Sequence, residues 1–292
     1  MSKSQNLLRT EPLPDQTPVN VAPSQNGPVI KLHWQVEDRN ELNGSRAQSI
    51  LWLLEELEVP YELEIYHRGP DMLAPPELTK IHPLGKSPVI TIETPGSGNP
   101  PIVLAETGFI TQYMTEHFGN DKKLVPKRWK EGSEGLIGGE TEEYLRCQHL
   151  LHYVEGSFMP YMLINLVLNG IRGPRVPFLV RPITNAVANK VTDFLILPNM
   201  KKHFTFLEKL LETSGGDYLC GPNLTAGDVA LSFVILVNKP AYPKLGNWKP
   251  EQEYPRVWAY MSRLEKSEGW LRSIEKIKSI EGSFELYRGA KQ

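Results

Sequence analysis

Ile81-His82-Pro83-Leu84-Gly85-Lys86-Ser87-Pro88-Val89 sets a polar loop and a proline directly ahead of the β-type run Val89-Ile90-Thr91-Ile92. After the break Thr94-Pro95-Gly96-Ser97-Gly98-Asn99-Pro100 comes Leu104-Ala105-Glu106-Thr107-Gly108, which opens a helix. Such a loop can offer the backbone of Ser87 to an extended peptide, in the manner of strand addition. Glu106 can accept from an ammonium group. The Thr107 hydroxyl and the free N–H groups of a helix start can hold a carboxylate. An ammonium and a carboxylate on one carbon describe a γ-glutamyl end.

Outward from these segments, the pattern is strand, helix, strand, then a hairpin and a closing helix. Val29-Ile30-Lys31-Leu32-His33-Trp34 reads as a strand. From Ser45 to Leu57, Ala47, Ile50, Leu51 and Leu54 fall at i, i+3, i+4 and i+7, so one apolar face packs on a sheet. Pro60 ends that helix, and Tyr61, Leu63 and Ile65 alternate with Glu62 and Glu64 as a half-buried strand. Val89–Ile92 and Ile102–Ala105 form the hairpin. Phe109, Ile110, Tyr113 and Met114 line a helix to about Phe118. The order is similar to a thioredoxin-like module with a mixed four-stranded sheet, and in that fold a proline placed like Pro88 is cis. A cis X-Pro bond turns the preceding N–H and C=O outward.

A domain boundary is expected near 119–134, since strand signals nearly vanish beyond it. The expected organisation is a disordered tail over 1–28, a thioredoxin-like domain over 29–119 and an all-helical domain over 134–292. Helices are expected from about Glu140 to Asn169, Ile183–Thr213, Ala226 to Asn238, Pro255–Lys266 and Trp270–Lys278. Pro174, Pro177 and Pro182 exclude a continuous helix between the first two. Thr225 and Asp228 form a capping box that starts the third.

The chain has 292 residues, enough for two modest domains. Its formal net charge of −2 argues against nucleic acid or an anionic membrane as a partner recognised by overall charge. Cys147 and Cys220 are the two cysteines, far apart and without a CxxC or His/Cys cluster, so neither a metal site nor a disulfide framework is indicated. The longest apolar run, Val229–Val237, contains Ser232 and is far short of the ~20 residues that span a bilayer. A soluble, cytoplasmic protein without a transmembrane segment is expected. Residues 1–28 carry five prolines and no aromatic residue, and lack the apolar run of a signal peptide.

These segments, in this order, resemble the glutathione transferases, and more closely the fungal GTT-type class. The resemblance rests on Leu32-His33-Trp34, Ser45-Arg46-Ala47, Leu51-Trp52-Leu53-Leu54-Glu55-Glu56-Leu57, Ala74-Pro75-Pro76-Glu77-Leu78, residues 80–88, residues 104–108 and Tyr153-Val154-Glu155-Gly156-Ser157. It implies a homodimer with glutathione as co-substrate and no resident cofactor. It puts Ser87, ahead of Pro88, on the cysteinyl backbone, Glu106 and Thr107 on the γ-glutamyl end, and Lys86 near the glycyl carboxylate. The helical domain then supplies an apolar pocket for a small electrophile, with Tyr144, Cys147, Gln148, His152 and Tyr153 on the facing side of its long helix, of which Tyr144, Gln148 and Tyr153 are the principal candidates.

Catalysis needs glutathione as a thiolate, because a free thiol has a pKa near ~8.5. The N-terminus of the first helix supplies partial positive charge, and a hydroxyl there can donate to sulfur. Ser45 is the natural donor, and equally a plain N-cap. The connection from Trp34 to Ser45 is longer than in the class, so Asn43 or Asn40 is an alternative donor. No cysteine lies in that loop, which argues against the branch that forms a mixed disulfide with glutathione. The expected activity is conjugation of glutathione to small hydrophobic electrophiles, with glutathione-dependent peroxidase activity alongside. The competing reading is a non-enzymatic glutathione-binding regulator, similar to the nitrogen-regulating fungal relative with a prion-forming arm. Residues 1–28 are too short and too poor in Asn and Gln to resemble that arm.

Overall fold

The computed structural model describes residues 27–36, 45–67, 74–119, 124–174, 176–282 and 284. Most of the tail expected over 1–28, and Asn40 and Asn43, lie outside them.

Four strands form one sheet in the order β2-β1-β3-β4, with β1 Val29–Val36, β2 Tyr61–His67, β3 Val89–Glu93 and β4 Ile102–Ala105. β1 runs parallel to β2 and antiparallel to β3, and β4 is antiparallel to β3. The register sets Leu32 opposite both Leu63 and Ile90, so period-2 alternation carries one apolar row across three strands. β1 continues two residues past the expected Trp34.

Helix α1, Ala47–Leu57, follows β1, and its apolar residues Ala47, Ile50, Leu51 and Leu54 are all buried. So are Gln48, Ser49, Trp52 and Leu53, which corrects the expectation of a single buried face. The second face is covered from far along the chain. There Trp52 meets Trp270 edge-on at 5.4 Å, and Arg272 donates to the Glu55 carbonyl at 2.6 Å. Gly269 permits this approach, since a Cβ there would lie 2.0 Å from the Glu56 carboxylate. A short helix α2, Leu78–Ile81, ends at His82, and α3, Thr107–Phe118, closes this part of the fold. In α3, Ile110 and Met114 are fully buried while Phe109 points to solvent, against expectation.

The remainder is helical. α4 Glu142–Tyr153 and α5 Met159–Arg172 form one long rod, interrupted by a π-helical turn at Val154–Phe158. α6 Arg181–Val191 and α7 Leu197–Thr213 form the next rod, with a second π turn at Thr192–Ile196. Pro182 sits in the first turn of α6, where a missing N–H costs nothing. α8 Ala226–Ser232 runs into a third π turn, Phe233–Val237. The short α9 Pro250–Glu253 escaped sequence reading, and α10 Pro255–Leu264 and α11 Glu268–Glu281 match the last two expected helices within a few residues.

The capping box of Thr225 and Asp228 is present. Asp228 is completely buried, and its carboxylate accepts four hydrogen bonds. These come from the Thr225 N–H at 2.8 Å, the Thr225 hydroxyl at 2.6 Å, the Leu219 N–H at 3.1 Å and the Tyr260 hydroxyl at 2.6 Å. Burial raises its pKa, and the four donors pull it back down. Among the described residues no helix is long and apolar enough to cross a membrane.

Candidate functional site

A groove opens at the edge of the sheet, lined by Arg46, His82, Leu84, Lys86, Ser87, Pro88, Val89, Ala105, Glu106 and Thr107. All five residues expected to bind glutathione are therefore gathered in one place. Local chemistry puts them there. Gly85 adopts φ 56°, a left-handed conformation that suits glycine, and its N–H closes on the His82 carbonyl at 2.8 Å. The Ser87–Pro88 bond is cis, as the thioredoxin-like pattern implies.

The side chain of Ser87 is engaged by β1. Its hydroxyl donates to the His33 carbonyl at 3.0 Å and accepts the Gln35 N–H at 2.9 Å. What Ser87 can offer a peptide is thus its backbone, with the side chain serving as the pin that holds it. Beneath, buried His33 is held by the Thr91 hydroxyl at 3.0 Å on Nε2, and by the Tyr66 hydroxyl and Glu64 carboxylate, each 3.0 Å from Nδ1. Burial lowers its pKa, against an upward pull from Glu64.

On the other wall, Glu106 is exposed and has φ 71°, a conformation rare for a residue with a Cβ. It turns the chain from β4 into α3, whose first N–H groups have no intrahelical partner and no side-chain cap. Thr107 is buried directly behind it. Lys86 is exposed at the rim.

Ser45 lies just before α1 and accepts the Ala47 N–H on its Oγ at 3.3 Å, while its carbonyl accepts the Gln48 N–H. The N-cap of α1 is Arg46, without a side-chain cap bond, and among the described residues the Ser45 hydroxyl proton has no acceptor. Ser45 does not itself line the groove. Its neighbour Arg46 does, and the Arg46 guanidinium donates to Glu155 in the first π turn at 2.8 Å. Arg46 and Glu155 both stand inside segments that carry the family resemblance, and neither segment assigns them a role.

The proposed electrophile side is more dispersed. Tyr144 and Gln148 are half-buried on α4, with the Arg128 guanidinium 5.5 Å from the Tyr144 ring. His152 is exposed and Cys147 is buried against the α8 side, where Gly227 packs close to the Cys147 carbonyl. Tyr153 does not serve the groove. Its hydroxyl lies 2.7 Å from His203 Nδ1, and its ring packs on Phe206 at 5.0 Å, so it belongs to the contact with α7. A helix with apolar residues on more than one side does not reveal from sequence which neighbour each will meet.

Fold and groove define a thioredoxin-like peptide-binding unit backed by a helical unit. The family description "Glutathione S-transferase, N-terminal domain" matches residues 44–117, and "Glutathione S-transferase, C-terminal domain" matches residues 186–263. Glutathione S-transferase 1 of Saccharomyces cerevisiae is 30% identical over 257 residues, covering 88% of this chain and 99% of that protein. A glutathione S-transferase structure from Actinobacillus pleuropneumoniae shares 26% identity at a TM-score of 0.54, covering 85% of this chain and 93% of that one. Ure2p5 of Phanerochaete chrysosporium, cocrystallised with 1-(S-glutathionyl)-2,4-dinitrobenzene, shares the fold at 15% identity and a TM-score of 0.59, covering 89% and 99%. The chain belongs to the glutathione S-transferase family and is a glutathione transferase.

Proposed function

We propose that this glutathione transferase conjugates glutathione to small hydrophobic electrophiles, and that the same thiolate reduces organic hydroperoxides. The observation that carries the reading is the convergence of Ser87, Pro88, Glu106 and Thr107 on one groove beside the start of α1. The unit over 29–119 holds the tripeptide and the unit over 134–292 faces the electrophile. The Ser87 backbone pairs with the cysteinyl residue, Glu106 accepts from the γ-glutamyl ammonium, and Thr107 with the α3 N-terminus holds its carboxylate. Lys86 approaches the glycyl carboxylate.

The sulfur then lies toward α1. Helix N-terminal charge and a hydrogen bond from Ser45, or from Asn43 in its place, favour thiolate over thiol. The thiolate attacks an electrophilic carbon, a carbon–sulfur bond forms, and the leaving group departs with its electron pair. Tyr144 and Gln148 are the helical-domain residues proposed to border the electrophile. The conjugate held by Ure2p5 supports an aryl halide as the first electrophile to test. A cytoplasmic homodimer acting in detoxification or stress response fits this chemistry.

The test pairs retention on glutathione resin with turnover assays on an aryl halide, an isothiocyanate and an organic hydroperoxide. Retention with conjugation supports the proposal. Retention without any turnover leaves the glutathione-binding regulator as the better reading.

A further inference from the structure

The net charge of −2 conceals a segregated surface. From residue 156 to residue 192 there is no Asp or Glu, yet the stretch holds Arg172, Arg175, Arg181 and Lys190. The stretch runs from the first π turn through α5 and α6, and residues 176–180 form the described part of the loop that joins the two helices. At this loop and the start of α6 the chain exposes Phe178 at 72%, Leu179 at 75% and Ile183 at 67%, with Val180 and, one turn on, Val187 also open to solvent. Ile183, Val187 and Lys190 follow at helical spacing, so they stand on one side of α6. A patch this apolar is uncommon on an isolated protein surface.

We infer that the end of the α5–α6 hairpin is a docking surface for an anionic lipid bilayer. The apolar residues enter the headgroup boundary, while the cations meet lipid phosphates and carboxylates. The cations are available for this. Arg172 donates to Asn169 at 2.9 Å, Asn189 at 3.2 Å and Thr192 at 2.6 Å, all neutral acceptors. Arg181 donates to the carbonyls of Val176 and Pro174, each at 2.8 Å. Among the described residues neither arginine nor Lys190 has a carboxylate within ion-pair distance, and the one acid that acts on them from further away is Asp193, on Arg172.

The same bonds tie the turn that carries Phe178 and Leu179, so the apolar tip is presented in a set shape. A second copy of this chain is a poorer occupant. A two-fold contact through this face would set Arg172, Arg181 and Lys190 against their own copies, with Asp193 at its edge as a single offsetting acid among the described residues. Charge complementarity selects an anionic partner, and the exposed apolar tip selects one with a hydrocarbon layer.

The experiment mixes the full chain with vesicles of phosphatidylcholine alone, or of phosphatidylcholine containing phosphatidylserine, and measures co-sedimentation. Each cation near an anionic surface is worth about fivefold in partitioning. Binding to the phosphatidylserine vesicles at least ~10-fold above the neutral ones is expected, and it should fall in ~1 M salt, where screening reaches ~3 Å. The double variant Phe178→Glu, Leu179→Glu should lose ~10-fold or more of this binding while keeping its glutathione-resin retention and thermal melt. Lys190→Glu should weaken it about fivefold or more. Equal binding to both vesicle types, no binding at low salt, or unchanged binding by the double variant overturns the inference. A change of solution mass in the double variant, with vesicles ignored by the wild type, assigns the face to contact between copies instead.

Discussion

Arg46 and Glu155, 109 residues apart, meet at 2.8 Å across the seam between the first turn of α1 and the first π turn of the long helix. Their side chains are 33% and 26% exposed, so water screens the pair only in part. The contact fixes how the start of α1, and with it Ser45, sits relative to the helical wall. Arg46→Ala and Glu155→Ala should each cost ~0.5–1 kcal/mol, with the double variant costing less than their sum. A double-mutant cycle in urea measures this, and strict additivity would show that the pair contributes nothing. Arg46→Ala should also raise the KM for glutathione a few-fold, because the residue lines the groove.

Ser45 presents an oxygen to the Ala47 N–H, and among the described residues its own proton has no acceptor. Ser45→Ala is expected to raise the apparent pKa of the bound thiol by about one unit and to lower kcat/KM about 10-fold. Its stability cost stays below ~1 kcal/mol. Thiolate absorbance titrated against pH reads the effect. An unchanged titration moves the donor role to Asn43, where Asn43→Ala should then produce it.

Glu106 combines a binding carboxylate with φ 71°. Non-glycine residues held at such angles cost about 1–3 kcal/mol. Glu106→Gly should therefore stabilise the fold by about 1 kcal/mol, after the greater freedom of the unfolded chain is subtracted. It should also weaken glutathione binding by ~10-fold or more through the lost charge-assisted bond. Glu106→Ala should lose the affinity without the gain in stability. Thermal melts beside resin retention separate the two effects, and equal stability of the two variants would contradict the strain argument.

Asp228 is the least replaceable polar residue of the helical region. Removing its carboxylate strands two N–H groups and two hydroxyls inside the core. Asp228→Ala should cost about 3–5 kcal/mol, and Asp228→Asn about 1–3 kcal/mol, since one amide oxygen still accepts. Urea unfolding midpoints give both values, and an Ala variant within ~1 kcal/mol of wild type would refute this account.

His203 stacks on Phe158 at 4.6 Å with an interplanar angle of 9°, and burial lowers its pKa. The unfolded chain, with a histidine pKa near ~6.5, then takes up the proton first. The stabilising contribution is complete above about pH 6.5 and is lost as the pH falls toward the folded-state pKa. Buried His33 adds to the loss in the same direction. His203→Gln should lower stability near neutrality, with the gap to wild type narrowing as the pH drops toward ~5. Melting curves across that range check it, and a constant gap would count against the assignment.

The strands and groove residues were legible because each rests on a local pattern. Alternation in Tyr61–Ile65, the proline ahead of Val89 and the Glu106-Thr107 helix start need no distant partner to be read. What escaped depends on neighbours far along the chain. Gln48 and Ser49 carry no signal for burial, and their helix packs against α3, α8 and α11, the last two more than 170 residues later. Arg46 and Glu155 each stand in a recognisable segment, but nothing in either names the other. Which element Tyr153 faces, α7, is tertiary information that its own segment does not carry. The tyrosine and His203 are opposite by packing, not by spacing.

The π turns at Val154–Phe158 and Thr192–Ile196 carry a consequence for how such a molecule can change over time. Each accommodates one residue more than an α-helix needs, and one residue amounts to a rotation of about 100°. Deleting a residue at such a turn would restore an unbroken rod and swing everything beyond it to a new azimuth. The stretch of helix beside the groove and the stretch ending at Arg172 are thus set to independent phases. A lineage could re-aim the distal surface at a new partner by gaining or losing a single residue at the turn, while every side chain at the catalytic end kept its bearing.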